Sequence, residues 1–417
     1  MTGGPRIEPG HLAGLLAQVN EFGALPSGGV QRLAWTDAEV AAREWLAERC
    51  RGHGLRTDVD EAGNVWAWGG EHPAVVMGSH LDTVPRAGRF DGALGVLAAL
   101  AVLSAARDAG LPHADRLALV CFTDEEGVRF STGMTGSRAV AGMLPEAEVR
   151  QARTADGQQL WDVLLRRGLD PSLMQRAARR RPAVGAYLEL HIEQGRQLAE
   201  RGAVLGIVEV IAGLRSWHID VRGQRNHAGT TALRDRRDAL IPVAVAVLQA
   251  RRVMHEFPGL VATVGHAAVL DGASNIVPGE TRCTLDVRGT DPAEIETAAA
   301  RVLAAVRESA RDNHCALDAE EAKRLTPVRL DPHVTATLEA VAANRRQATA
   351  RLPSMAGHDA MNLAGAGIPC GMIFVPSRGG LSHCPEEHSS AEDCARGTEL
   401  MGDAALRLAA ELTATTA

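Results

Sequence analysis

Aromatic residues make up only 3% of this chain. Its core must therefore be packed mainly by Ala, Val, Leu and Ile. Cysteine is sparse and scattered (Cys50, Cys121, Cys283, Cys315, Cys370, Cys384 and Cys394), odd in number and without a C-x-x-C pair. That pattern argues against a disulfide framework and fits reduced thiols in the cytoplasm. Positive charge is not in excess: the formal net charge is −7, so no general basic surface is offered to nucleic acid or to an anionic membrane. The longest apolar run, residues 93–106, is too short to span a bilayer. Met1-Thr2-Gly3-Gly4-Pro5 lacks a basic region followed by an apolar stretch, so no signal peptide is expected. The expectation is a cytoplasmic protein that contacts neither nucleic acid nor membrane.

What is present is ordinary globular material: 417 residues, 46% hydrophobic and 23% charged, enough for two domains. Thr36-Asp37-Ala38-Glu39 reads as a capping box opening a helix. Residues 57–60 and 65–68 read as a hairpin. Apolar runs at 74–77, 117–122, 187–192 and 371–375 read as buried strands, alternating with helical stretches such as 93–106. That alternation predicts an α/β layer with a mixed, largely parallel sheet flanked by helices. The polar, Arg-rich stretch 147–181 is helical in composition, and Arg179-Arg180-Arg181 reads as a solvated face. After Gly213 the texture changes. Strand 217–221, helix 232–257, strands 261–269 and 281–287, helix 292–312 and a short strand near 315–317 give the β-α-β-β-α-β order of a ferredoxin-like α+β unit. The expected division is a catalytic domain of 1–212 and 328–417, with an inserted domain of 213–327.

The chemistry gathers where the buried strands end. Gly78-Ser79-His80-Leu81-Asp82-Thr83-Val84 runs on to Phe90-Asp91-Gly92. His80 and Asp82, two apart on an extended chain, share a face. Phe122-Thr123-Asp124-Glu125-Glu126-Gly127 takes a buried strand straight into three acids. Such like charges repel unless a cation or a proton relieves them. Glu189-Leu190-His191-Ile192-Glu193-Gln194-Gly195 ends another strand in a histidine, and Pro376-Ser377-Arg378-Gly379-Gly380-Leu381-Ser382-His383-Cys384-Pro385-Glu386-Glu387 places one in a Gly-rich loop. Each alone has a bland reading: a satisfied histidine, a helix-capping Asp, or an acidic helix start favoured by the dipole. Four such strand ends in one layer point to two metal ions bridged by a carboxylate. Imidazole and oxygen donors account for the acids better than a Cys384 thiolate does.

These motifs, with His227-Ala228-Gly229-Thr230-Thr231 and Ala356-Gly357-His358-Asp359-Ala360, together resemble the amidohydrolase branch of the M20 metallopeptidase family. N-carbamoyl-L-amino acid hydrolases and allantoate amidohydrolases belong to that branch. The resemblance covers nearly the whole chain, and His191 stands where related peptidases carry a carboxylate. It implies two divalent ions per subunit, Zn²⁺ or else Mn²⁺ or Co²⁺. His80, Asp91 and His191 would hold one; Asp91, Glu126 and His383 would hold the other. Glu125 would be the general base, and Asp82 would orient His80. In the inserted domain, His227 would stabilise the oxyanion, and Asn275 and Arg288 would bind the substrate carboxylate. Gln194 and Gly357 would contact substrate.

The implied reaction is hydrolysis of a linear C–N bond in a small ureido acid, by a homodimer joined through an inserted lid. Allantoate is the near alternative substrate. An aminoacylase, a dipeptidase and a non-catalytic binding protein are more distant readings. Several positions depart from the family pattern: Ala87-Gly88-Arg89 before Phe90-Asp91, Ala232 after His-Ala-Gly-Thr-Thr, Asp271-Gly272 ahead of Asn275, and Arg196 after Gln-Gly. None removes a ligand, so they bear on specificity more than on chemistry.

Overall fold

The computed structural model describes residues 4–416, which fall into two compact units. One comprises the chain up to Glu209 with Arg329–Leu352 and His358 onward. The other comprises Val210–Val328 and Pro353–Gly357. The short return segment 353–357 was not foreseen in the sequence.

The first unit is built on a sheet whose centre is parallel. Its four middle strands stand in the order Leu117–Phe122, Ala74–His80, Val184–Ile192 and Cys370–Val375. All three neighbour pairs among them are parallel. Every residue of Ala74–His80, Leu117–Phe122 and Cys370–Val375 is buried, as expected of strands covered on both faces. The hairpin Arg56–Val59 and Val65–Trp68 adds antiparallel pairs on one side, and Leu205–Ile211 adds one on the other. Because the central strands run the same way, their C-terminal ends share one edge, where open α/β sheets bind ligands. Helix Ala93–Asp108 is apolar almost all round and correspondingly buried. It packs on the middle strands with the long helix Ala391–Thr416 beside it.

The second unit is an antiparallel sheet in the order Ala316–Leu325, Gly213–Arg222, Glu280–Gly289 and Val261–Leu270. Helices Leu240–Glu256 and Pro292–Asp312 close a core of Trp217, Ile219, Leu285, Val302 and Val306. The chain order is β-α-β-β-α-β.

Four local expectations need correction. The helix expected from residue 232 begins at Leu240. Arg236 instead ties the preceding stretch down, donating to the Thr231 and Ala228 carbonyls, and the Asp238 carboxylate receives the Leu240 N–H. The closing strand is far longer than 315–317. Much of Ala316–Leu325 is solvent-facing, so its apolar alternation is faint. The stretch 147–181 contains only short α-helices, Glu146–Gln151 and Leu160–Arg166, and then a 3₁₀ segment, Pro171–Ala183. Finally, helix Asp37–Gly52 starts where the capping box put it, but without the box's bonds. The Thr36 hydroxyl donates to the Leu33 carbonyl, and Glu39 accepts from the Trp35 N–H.

Candidate metal centre

Each parallel strand delivers one piece of a polar cluster at the shared edge. His80 is the last residue of its strand, and His191 lies one residue before the end of its own. Strand Leu117–Phe122 runs into a turn at Asp124, whose φ of 52° is stabilised by Thr132 and Thr135 hydroxyls donating to its carboxylate. That turn aims the Glu125 and Glu126 N–H groups at the Asp82 carboxylate, at 3.2 and 3.1 Å. Asp91 sits in the loop entering helix Ala93–Asp108. The following Gly92 has φ 63°, and a Cβ there would lie 2.4 Å from the His80 ring, so no side chain fits.

The donor atoms converge on Asp91. Its Oδ1 lies 3.7 Å from His80 Nε2 and 3.1 Å from His191 Nε2. Its Oδ2 lies 3.3 Å from His383 Nε2, and that nitrogen is 3.7 Å from Glu126 Oε1. His80, Asp91 and His191 thus form one group, and Asp91, Glu126 and His383 another, with donor atoms in each within 4.8 Å of one another. Two donors each about 2.1 Å from one tetrahedral ion stand about 3.4 Å apart, which matches these separations. Cys384 belongs to neither group.

Both buried histidines face the centre through Nε2. His80 Nδ1 is bonded to the Asp82 carbonyl at 3.0 Å and His191 Nδ1 to the Ile192 carbonyl at 2.9 Å. A main-chain acceptor on the far nitrogen is the usual device for fixing a metal-binding imidazole. It also redefines Asp82. Asp82 was expected to orient His80; its carboxylate Oδ1 is 3.7 Å from His80 Nδ1, beyond hydrogen-bond reach. The Asp82 carbonyl orients the imidazole, while its carboxylate anchors the Glu125–Glu126 turn.

The electrostatics ask for positive charge. Burial, then Glu126, Asp359, Asp82 and Asp91, push the Glu125 carboxyl well above its ordinary range. Burial, then Asp91 and Asp82, do the same to Glu126. Burial disfavours a charged His191, yet Asp91 and Glu189 outweigh it and raise its pKa to about 9. Glu126 Oε1 is buried without a hydrogen-bond partner among the described residues. A divalent cation between Asp91 and its neighbours would meet each of these demands. The mixed imidazole and carboxylate set suits Zn²⁺, Mn²⁺ or Co²⁺.

Gln194 joins the same cluster. Its Nε2 donates to Asp91 Oδ2 at 2.8 Å and to Ser382 Oγ at 3.2 Å, while its Oε1 is buried without a partner among the described residues. The remaining expected residues belong to the second unit. His227 lies on the two-residue strand Asn226–His227, paired with Ile276–Val277. The Asn275 carbonyl accepts the Ala228 N–H beside it. His227 Nδ1 accepts from Gly229 and Thr230 N–H groups at 3.1 Å each, which leaves the proton on Nε2. Arg288 is not a free fork: its Nε and Nη2 bond Asp286 at 2.9 and 3.2 Å. Its Nη1 faces the Met355 carbonyl, two residues before Gly357.

Sequence reasoning missed three contributors. His358 packs its ring edge-on against His191, with centroids 4.6 Å apart. Glu189 is fully buried and accepts from Ser79, Tyr187 and the Ala360 N–H. Glu387 accepts the Phe90 and Asp91 N–H groups. Glu189 stood inside an otherwise apolar strand and His358 within the Ala356–Ala360 motif, but neither was given a role, and Glu387 carried no local signal.

Residues 76–407 match Peptidase family M20/M25/M40. An N-carbamoyl-L-amino-acid amidohydrolase from Paenarthrobacter aurescens is 37% identical over 378 residues, 89% of this chain and 92% of that one. One from Geobacillus stearothermophilus is 39% identical over 391 residues, 93% of this chain and 95% of the relative. The allantoate amidohydrolase of Bacillus subtilis (strain 168) is 32% identical over 398 residues, 93% and 95% of the two chains. A solved amidase of the hydantoinase/carbamoylase family from Burkholderia multivorans shares the fold with a TM-score of 0.86 at 31% identity, over 97% of this chain and 98% of that one. This chain belongs to peptidase family M20/M25/M40 and, within it, to the amidohydrolase branch.

Proposed function

We propose that the chain hydrolyses the linear C–N bond of an N-carbamoyl amino acid, with one water consumed and amino acid, ammonia and carbon dioxide released. The observation that carries this is the pair of donor groups sharing Asp91, with Glu125 beside them and in neither. Greater identity to the two N-carbamoyl-L-amino acid amidohydrolases than to the allantoate enzyme favours this substrate. Allantoate is the second reading.

When bound, two divalent ions, one held by His80, Asp91 and His191 and the other by Asp91, Glu126 and His383, would polarise the substrate and acidify a water. Glu125 takes the proton of the attacking water at its carboxylate and delivers it to the leaving nitrogen. Glu125 Oε2 stands 3.7 Å from His80 Nε2, at the edge of the cluster. Gln194, anchored through its amide nitrogen, offers Oε1 to a ureido N–H. His227 is in the tautomer that donates from Nε2, as an oxyanion partner must. Arg288 and Asn275 bind the substrate carboxylate, for which Arg288 must share or exchange its contact with Asp286.

The second unit would serve as lid and dimer interface. In support, Leu240, Ile241, Val247 and Leu248 of its first helix and Val261 and Val269 of its edge strand are exposed, the kind of apolar side chains a partner surface would cover. Light scattering should give a mass twice 44.1 kDa; a monomer mass would remove the interface role.

The deciding experiment is ammonia release, with and without Mn²⁺ or Zn²⁺, from N-carbamoyl-L- and D-amino acids, N-carbamoyl-β-alanine and allantoate. N-acetyl amino acids and a dipeptide run alongside in an amine assay. Metal-dependent turnover is expected with an N-carbamoyl amino acid. Turnover of allantoate alone would establish the second reading, and turnover of only the acetyl or peptide compounds would overturn both.

A further inference from the structure

We infer that Glu387 is a positioning residue that holds the bridging Asp91 and the His383 loop together, and so sets the affinity of the outer of the two metal sites. The inference rests on the two-ion reading above. Glu387 is almost fully buried and belongs to neither donor group. Its two oxygens work in different directions. Oε1 accepts the Phe90 N–H at 2.9 Å and the Asp91 N–H at 3.1 Å, fixing the main chain that carries the bridging carboxylate. Oε2 lies 2.9 Å from Ser382 Oγ, which is 3.0 Å from Asp91 Oδ2. Ser382 immediately precedes His383. A single side chain therefore ties the Asp91 loop, from both ends of the carboxylate, to the loop that carries the outer histidine. Space has been cleared for it: a Cβ on Gly88 would lie 2.2 Å from Glu387 Oε1.

The two sites depend on this clamp unequally. The inner group takes His80 and His191 from strand ends, and both imidazoles are fixed by main-chain carbonyls. The outer group takes two of its three donors, Asp91 Oδ2 and His383, from the clamped loops. The His383 side chain is 49% exposed against 6% for Asp91, and His383 sits at φ 57°, a backbone region that a non-glycine residue holds only when its surroundings impose it. Among the described residues, no Nδ1 bond fixes the imidazole of His383 as one fixes His80 and His191. The outer site is thus the one whose geometry is borrowed from Glu387.

The test is titration of the metal-stripped full chain with Mn²⁺, reading free ion by electron paramagnetic resonance. The wild type should bind two ions. Glu387→Ala should keep the inner ion within about threefold of wild-type affinity and weaken the outer by about 10–100-fold, the range typical of lost outer-shell partners. Glu387→Gln should restore both to within about threefold. Its amide oxygen can accept the two N–H groups, its NH₂ can donate to Ser382 Oγ, and the Ser382 hydrogen is then left for Asp91 Oδ2. A merely structural role would lower both affinities together, or only the melting temperature. Equal loss at both sites, no loss at either, or a folded Glu387→Gln that behaves as Glu387→Ala overturns the inference. If Glu387→Ala does not fold, Ser382→Ala decides: about tenfold weakening of the outer ion alone is expected, and unchanged binding overturns the clamp. A wild type that binds fewer than two ions overturns the two-ion reading itself, a failure distinct from that of the clamp.

Discussion

Glu125→Gln is expected to lower kcat by about 10²–10⁴-fold, the range contributed by a positioned general acid–base group, while both ions remain bound. The position allows a clean separation of the two effects. Glu125 is in neither donor group. Its main chain is held by the Asp82 carboxylate and by the Met134 N–H on its carbonyl, and a carboxamide disturbs neither contact. The substitution keeps the size of the side chain and removes only its ability to accept and return a proton. Neighbouring Glu126 cannot take over, because its Oε1 faces His383. KM should stay within a few-fold, since a group acting in the transition state lowers kcat and kcat/KM alike. Turnover within about tenfold of wild type would remove Glu125 from the proton-transfer role and direct attention to another carboxylate.

The strand-end chemistry was legible in the sequence because two simple periodicities carry it. Buried parallel strands read as apolar runs, and a parallel sheet sends all its C-terminal ends to one edge. A polar residue at the close of each run must then meet the others. That logic brings the four strand-end motifs to one edge without any knowledge of side-chain direction, and the family resemblance picks His80, Asp91, Glu125, Glu126, His191 and His383 out of them. It fails where function depends on which atom of a residue is used. Asp82 was expected to orient His80, but the sequence does not say through which atom: in the folded chain its carbonyl does that work and its carboxylate serves another loop. Arg288 was expected to bind the substrate carboxylate, and Asp286, two residues away on the same strand face, occupies two of its nitrogens. Glu387 was one of two adjacent acids in a loop, and only its approach to Phe90 and Asp91, almost 300 positions earlier, gives it a role. Helix Leu240–Glu256 starts late, after a 3₁₀ turn at Leu233–Asp235 and a segment that Arg236 bonds back to the Ala228 and Thr231 carbonyls. Long-range hydrogen bonds of this kind leave no local trace in a sequence.

Asp91→Asn should have the largest effect of any single substitution at the site: loss of at least one of two bound ions and a fall in kcat/KM of at least about 10⁴-fold, since two ions otherwise supply several kcal/mol of charge stabilisation at about 1.4 kcal/mol per decade. The argument lies in the two faces of the carboxylate. Oδ1 meets His80 and His191, and Oδ2 meets His383. An amide has one oxygen, so one group must lose its donor. Gln194 Nε2 donates to Oδ2, and the Ser382 hydroxyl stands against the same atom. These contacts should turn the amide oxygen to that side and leave its NH₂ facing His80 and His191. The inner site, although the more buried, should therefore be the one that empties. Titration calorimetry with Mn²⁺ would show one ion or none in place of two. The thermal stabilisation conferred by metal would shrink in step, each ion at a hundred times its Kd being worth about 2.7 kcal/mol. Glu125→Gln should retain two ions and lose turnover, whereas Asp91→Asn should lose ions and turnover together. Two ions bound to Asp91→Asn with turnover within about tenfold of wild type would mean that Asp91 does not bridge, and the centre would have to be rebuilt around Glu126 and the histidines alone.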